Sequence, residues 1–343
     1  MRKLLNTLYV TSEDSYLSLD GENVVVTLNH DEKHRIPLHT LETIISFSYK
    51  GASPALMGKC AEENIQLSFF SPHGKYLAST IKNTSGNVLL RREQYRMADD
   101  DNTSLLFAKS FIYGKLYNER YLLLKFSRDY SLRIDTARLR VTVENLKEQM
   151  ERVKESKSKD ELRGIEGNAA TGYFGVFDEL ILQNKNDFKF KSRNRRPPID
   201  NVNALLSFAY TLLANDCAAA LHGVGLDPYV GFLHVDRSGR KSLALDMMEE
   251  LRSVYADRFV LTLINNRVIA KTDLDEQESG TVLLNEGGRR RFFEEWQKKK
   301  KDSLKHPFLE EKMSWGLVPH IQAMLMARCL RGDLSQYPPF FWK

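Results

Sequence analysis

Apolar and polar residues alternate with a strand-like period through the first 85 or so positions, and the period then lengthens. Met1 to Val10 is a short apolar run that predicts a first strand. Tyr16-Leu17-Ser18-Leu19 and Val24-Val25-Val26-Thr27-Leu28 flank Asp20-Gly21-Glu22-Asn23, and an Asp-Gly between two β-rich runs predicts a hairpin. Thr43 to Tyr49 predicts another strand, and Ser53 to Glu63 a short helix with Leu56, Cys60 and Ala61 near one face. Gln66 to Phe70 and Tyr76 to Ile81 flank Ser71-Pro72-His73-Gly74-Lys75, a second hairpin. Lys82 to Asn87 is polar and turn-rich and reads as a linker.

From about residue 88 apolar residues recur three and four apart. Helices are predicted over Leu89–Met97, Ser104–Ser127, Leu132–Ser156, Gly164–Leu182, Asn201–His222, Ser242–Tyr255, Gly287–Lys301 and Pro307–Leu330, with Pro319 kinking the last. Val260–Ile269 reads as a strand-like interlude. The expected fold is α+β, with a mainly-β domain over residues 1–85 and a larger all-α domain over 86–343.

Composition narrows the class without naming a chemistry. The 42% hydrophobic and 28% charged content is that of a soluble globular chain. No apolar run reaches the ~18 residues of a membrane helix, so no membrane partner is expected. The N-terminus lacks the long apolar region of a signal peptide. The odd, widely spaced cysteines Cys60, Cys217 and Cys329 fit reduced thiols, and the expected location is the cytoplasm. Residues 1–100 carry 11 Lys+Arg against 12 Asp+Glu, so the net charge of +5 comes wholly from the rest. That favours a polyanion surface in the helical part, and only mildly.

Three segments there carry candidate chemistry. Arg163 to Ala170 sets Glu166 among Gly and Ala residues, either as a carboxylate at a helix start or as a site residue that a ligand can approach closely. Gly231 to Arg240 places His234 before a turn bearing Arg237 and Arg240, which is either a surface turn or an imidazole beside two phosphate grips. Ser242 to Arg252 puts Asp246, Glu249 and Glu250 at i, i+3 and i+4, a solvated stripe unless a cation sits among them. Two or three carboxylates with one imidazole suit Mg²⁺ or Mn²⁺ better than zinc. His30, His34 and His39 lack matching carboxylates and are expected at the surface.

Binding has its own candidate segment. Lys185 to Arg196 interleaves Lys189, Lys191, Arg193, Arg195 and Arg196 with Phe188 and Phe190. The basic groups could neutralise phosphates while the rings either stack on bases or pack on the core. The run of Arg289 to Arg291 with Lys298 to Lys301 reads as a solvated helix face. The tail, Gln336 to Lys343, is aromatic and proline-rich and is expected to pack on a partner or on the chain itself.

At these residues the chain resembles the CRISPR-associated integrase of spacer acquisition, the Cas one family. The matching pieces are Gly164-Ile165-Glu166-Gly167 with Ala169-Ala170 and Tyr173-Phe174, then Arg195-Arg196-Pro197-Pro198 leading to Asn203-Ala204-Leu205-Leu206-Ser207. Gly231-Phe232-Leu233-His234 and Leu243-Ala244-Leu245-Asp246 with Met248-Glu249-Glu250 follow in the same order and spacing. The likeness is greatest to subtypes with Glu as the last ligand, the I-C type among them. It implies metal ligands at Glu166, His234 and Glu249, with Asp246 as an additional candidate. It also implies a homodimer formed through the β domains, a Cas two dimer bridged by two such dimers, a Cas four nuclease as a further partner, and DNA as substrate. The implied activity is that of a metal-dependent DNA endonuclease and integrase, inserting short spacers into a CRISPR array by 3′-hydroxyl attack on a phosphodiester. The alternatives from the residues alone are a metal-dependent nuclease that does not join strands and a non-catalytic DNA-binding scaffold.

Overall fold

A computed structural model describes residues 6–29, 31–71, 76–80, 87–194 and 197–342. The chain begins with β1 (Asn6–Val10), β2 (Ser15–Asp20), β3 (Asn23–Leu28), β4 (Asp31–Pro37) and β5 (Leu41–Ser46). There follow α1 (Pro54–Glu62), β6 (Gln66–Phe70) and β7 (Tyr76–Thr80). Helices take over with α2 (Val88–Asp99), α3 (Asp101–Asp129), α4 (Thr136–Glu155), α5 (Lys159–Gly175), α6 (Asn201–Val224), α7 (Ser242–Glu249) and α8 (Arg258–Asn265). The last elements are β8 (Leu274–Glu276), β9 (Val282–Leu284), α9 (Glu286–Lys301), β10 (Ser303–Lys305), β11 (Lys312–Ser314) and α10 (Val318–Leu330). A β-rich N-terminal region therefore precedes a mostly helical one, the α+β layout expected from the pattern.

Two compact units emerge. The first holds residues 1–85 together with 272–275 and 283–302, and the second holds the remainder. In the first, β2, β3 and β4 form an antiparallel meander, while a second sheet runs β1-β5-β6-β7 with β1, β5 and β6 parallel and β7 antiparallel. The Asp20-Gly21 hairpin stands as expected, with Gly21 at a φ of 57° that suits glycine. Leu17, Val24, Leu38, Ile44, Leu56 and Leu67 are fully buried within one apolar cluster. The strand β4 was not expected, because Asp31 to His34 breaks the alternation with four polar residues; His34 within it and His39 just after it are both exposed. The first five residues of the expected first strand, the turn 72–75 and the expected linker as far as Gly86 lie outside the described residues. The basic helix α9 belongs to this unit: Phe293 stacks on Tyr9 at 4.2 Å, and Asn285 caps it by accepting from Gly288 N.

The second unit centres on α6. That helix is long and apolar enough to cross a bilayer by length and composition, but 61% of the qualifying window is buried inside the unit. It ends at Gly225, whose φ of 86° makes the left-handed cap. Two expectations fail here. The Val260–Ile269 interlude is mostly helical, because Phe259, Val260, Leu263 and Ile264 repeat at helical spacing and all are buried in α8. The helix expected over Pro307–Leu330 starts only at Val318, and Pro319 sits in its first turn, where a missing N–H costs nothing.

Between α7 and α8 the chain widens into a π-helical turn over Arg252–Asp257. Such turns expand the helix and turn side chains inward. Asp257 there accepts from Tyr173 at 3.0 Å and Tyr210 at 2.5 Å, which ties α5 and α6 to the same point. The aromatic tail docks on its own chain. Glu250 accepts from Tyr337 Oη at 2.6 Å, Gln322 Nε2 at 2.8 Å and Phe340 N at 2.9 Å, and Asn118 closes on Phe340 and Trp342.

Burial drives the Glu250 carboxyl up from 4.5 to about 7, against the pull of Tyr337, Gln322 and Phe340 N. Its folded value lies above its unfolded one, so its contribution to stability is complete below pH 4.5 and is lost as pH rises toward 7. Urea unfolding across pH 5 to 8 is therefore expected to show stability falling with pH, and Glu250→Gln to flatten part of that slope. An unaltered slope in the variant contradicts this.

Candidate active site

Glu166 does not open a helix. Ser158 caps α5 by accepting from Glu161 N, so Glu166 stands two turns in, on a helix that also buries Leu162, Ile165, Ala169 and Tyr173. Its carboxylate pairs with Lys115 of α3, a side chain only 3% exposed. Lys115 Nζ also lies 3.0 Å from Glu249 Oε2, and Arg252 lies 3.0 Å from Glu249 Oε1. One buried ammonium thus joins carboxylates from α5 and α7.

His234 reaches the same place from a loop. Asp246 of α7, with no exposed surface, accepts from the backbone N–H groups of Phe232 at 2.7 Å, Leu233 at 2.9 Å and His234 at 3.0 Å. The same carboxylate meets His234 Nδ1 at 2.5 Å. A carboxylate only accepts, so Nδ1 carries a proton toward Asp246 and Nε2 is the ring nitrogen left facing the cleft. Nε2 lies 4.0 Å from Glu249 Oε1. Both Asp246 oxygens are thus engaged behind the ring, and Asp246, Glu249 and Glu250 do not share one acidic surface. The three acids go three ways: to the loop, to the cleft and to the C-terminal tail.

More supports hold this loop. Gln94 of α2 donates to Asp227 O at 2.7 Å and Val230 O at 2.9 Å, Ser104 donates to Phe232 O at 2.9 Å, and Phe107 stacks on Phe232 at 4.4 Å. Gly231 lets the backbone pass close to α7, since a Cβ there would come within 2.7 Å of Asp246 Oδ2.

The result is a cleft of about 420 Å³ onto which Glu166, His234 and Glu249 all open, with Arg163, Arg237 and Arg240 around them. Arg237 is exposed and Arg240 partly so. Burial would raise the Glu249 carboxyl, but Arg252, Lys115 and His234 reverse this and hold it down at about 2. Burial would likewise neutralise Lys115, and Glu249 and Glu166 instead hold it well above the usual lysine value. Among the described residues, no three His, Cys, Asp or Glu side chains stand close enough to enclose an ion as they are, and the Lys115 ammonium lies between Glu166 and Glu249. The donor set still fits a divalent cation. It offers two carboxylates and an imidazole, and Glu249 Oε2 is buried with no well-aligned hydrogen-bond donor.

The basic segment divides. Phe188 and Phe190 are buried, contributing about 2 kcal/mol each, and Phe190 packs on Phe177 at 5.0 Å, so these rings serve the core and do not face bases. Lys189 and Lys191 alternate with them and are exposed. Arg193 donates to Asn203 at 2.7 Å and Ser207 at 3.1 Å and lies over Tyr210, which engages it within the fold. Arg195 and Arg196 lie outside the described residues. Lys115, Arg163, Arg252 and Gln94 were not singled out as site residues. The one signal for Lys115 is its place among Phe111, Ile112 and Leu122 on the buried face of α3, a face that also carries Asn118 and Glu119.

Gly231→Ala is expected to lower stability by about 2 kcal/mol, the cost of overpacking a tight contact, as read by urea unfolding. A neutral result would show that the loop and Asp246 are not in the contact described.

Comparison with known proteins identifies the family and the fold. The model of the family described as CRISPR associated protein Cas1 matches residues 8–298. A CRISPR-associated endonuclease Cas1 of Chlorobaculum tepidum is 46% identical over 343 residues, covering all of both chains. Among solved structures, a casposase bound to integration product aligns with a TM-score of 0.85 at 22% identity, over 99% of this chain and 95% of its own. A Cas6-RT-Cas1–Cas2 complex aligns with a TM-score of 0.81 at 23% identity, over 100% of this chain and 36% of that one. At such identities the structural likeness concerns the fold alone, whereas the family match and the 46% identity cover most or all of the sequence. The chain belongs to the Cas1 family.

Proposed function

We propose that this protein is a divalent-metal-dependent DNA endonuclease and integrase that inserts short DNA spacers into a CRISPR array. The observation that carries the reading is the opening of Glu166, Glu249 and His234 onto one cleft rimmed by Arg163, Arg237 and Arg240. Carboxylates and an imidazole hold a hard cation, and guanidiniums grip phosphate oxygens. The endonuclease name of the Chlorobaculum tepidum relative and the integration product bound by the casposase support the same chemistry.

Glu166, His234 and Glu249 would hold Mg²⁺ or Mn²⁺, which supplies Lewis acidity to a scissile phosphate. Arg237 and Arg240 hold the phosphate against the cleft and offset the charge that grows on its oxygens as the 3′-hydroxyl of the incoming strand attacks. A new P–O bond forms as the bond to the leaving 3′-oxygen breaks, and that oxygen takes up a proton. Asp246 keeps His234 in a single tautomer throughout, so that Nε2 remains an electron-pair donor. Lys189 and Lys191 lie on an exposed strip suited to the backbone of bound DNA. Water in place of the hydroxyl gives hydrolysis by the same route.

The working assembly in this reading is a homodimer joined to a Cas2 dimer, supported by the Cas2 named in the complex that shares the fold. A Cas4 nuclease belongs to the same expectation, drawn from the family resemblance. The three free cysteines support action in the reducing cytoplasm.

Glu166→Ala and His234→Ala are each expected to abolish covalent joining of a short duplex with free 3′ ends to a supercoiled target in Mn²⁺, a loss of at least 10² in rate, with DNA binding retained. Unchanged joining by either variant refutes the site. Cleavage without joint products by the unaltered protein would favour a plain nuclease.

A further inference from the structure

Lys115 raises a problem that the proposed metal site does not solve by itself. Its ammonium touches Glu166 and lies 3.0 Å from Glu249, and it is 3% exposed. Those are the two carboxylates that would hold the divalent cation. Two positive charges cannot share one carboxylate pair at contact distance without strong repulsion, which burial intensifies. Water cannot take the ammonium either, since it is enclosed by α3, α5 and α7. If the cation enters, the ammonium needs another acid within its own reach.

One such acid lies a turn farther along α3. Glu119 follows Lys115 by four residues, so the two side chains share a helix face. Glu119 is 2% exposed, and its Oε2 is buried without a hydrogen-bond partner. A buried orphan carboxyl oxygen is costly and calls for a donor. Burial, with Asp257, Glu166 and Glu249 nearby, pushes this carboxyl up to about 8 despite the attraction of Lys115, so it keeps its proton near neutrality and gives it up only as the ammonium comes closer. The Lys115 flexible stem with three donors on its tip is suited to changing partners, as a rigid guanidinium fork is not.

We propose that Lys115 is a displaceable counter-ion. Before metal arrives it clamps Glu166 to Glu249, and when the divalent ion binds it swings to Glu119. Glu119 is then a positioning residue for metal uptake, although it is no ligand itself. The proposal rests on the assignment of Glu166 and Glu249 as ligands. It implies that Lys115 neutralises the Glu166–Glu249 pair when the ion is absent and Glu119 when it is bound, so α5 and α7 stay together without the ion.

The test is Mn²⁺ affinity, read from the free-ion EPR signal without any turnover. Glu166→Gln checks the ligand assignment: it is expected to lose Mn²⁺ binding, and retained binding would overturn the site and not the switch. Given that loss, Glu119→Gln is expected to weaken Mn²⁺ binding roughly tenfold, a coupling of ordinary size for groups in one network. Lys115→Met is expected to bind at least as tightly as the unaltered protein, because nothing has to be displaced. In the double variant the Glu119→Gln penalty should vanish. The proposal fails if Glu119→Gln has no effect beside Lys115, if its penalty persists in the Lys115→Met background, or if Lys115→Met alone weakens binding. Thermal melting checks that each variant folds. Should Glu119→Gln not fold, Glu119→Asp keeps the carboxyl group but shortens the reach, and the same comparison with and without Lys115 decides.

Discussion

Two carboxylates held against one buried ammonium are the interaction on which the rest of the site depends. Glu166 and Glu249 stand on helices separated by more than 60 positions of chain, and Lys115 meets both. Glu249 and Lys115 are buried together, and breaking such a buried pair by removing one member typically costs about 3–5 kcal/mol. Arg252 adds a second cation from the widened turn after α7, and its stacking on Tyr210 at 5.1 Å fixes its direction. Behind these, Asp257 ties α5 and α6 together through two tyrosines. The helical unit is thus built around a charged interior rather than a purely apolar one.

The His234 loop obeys a different constraint. It carries no regular structure, so its backbone N–H groups need acceptors. Asp246 supplies one carboxylate to three of them and to the ring. Gln94 supplies both a donor and an acceptor to the segment just before, and accepts from Asp227 N at 2.9 Å. A loop held this firmly presents its imidazole in one orientation, which lowers the cost of assembling a site around a ligand. Function in this chain follows from which acids are spent on support and which are left facing the cleft.

Much of this was legible in the sequence, though unevenly. The hairpins around Asp20-Gly21 and between Gln66 and Thr80 followed from alternation and turn residues, and the long helices from their apolar spacing. Glu166, His234 and Glu249 could be picked out by type and motif, and they do line one cleft. What could not be read was the division of labour among Asp246, Glu249 and Glu250. Helical spacing puts them near one face, but their partners come from residues 232–234, 115 and 337–340, which no local pattern connects. Lys115 was hidden for the same reason: one lysine in an apolar stretch looks like a snorkelling side chain until two acids arrive from elsewhere. Val260 misled because β-branched and aromatic residues also fill buried helices when tertiary packing outweighs propensity.

The most direct measurement is pulsed EPR of the Mn²⁺-loaded protein with ¹⁵N-labelled histidine. The expected result is one bound Mn²⁺ per chain with a hyperfine coupling from a single imidazole nitrogen, lost in His234→Gln. A bound Mn²⁺ that shows no histidine nitrogen coupling, or one whose coupling survives that substitution, would contradict a metal centre shared by His234, Glu166 and Glu249.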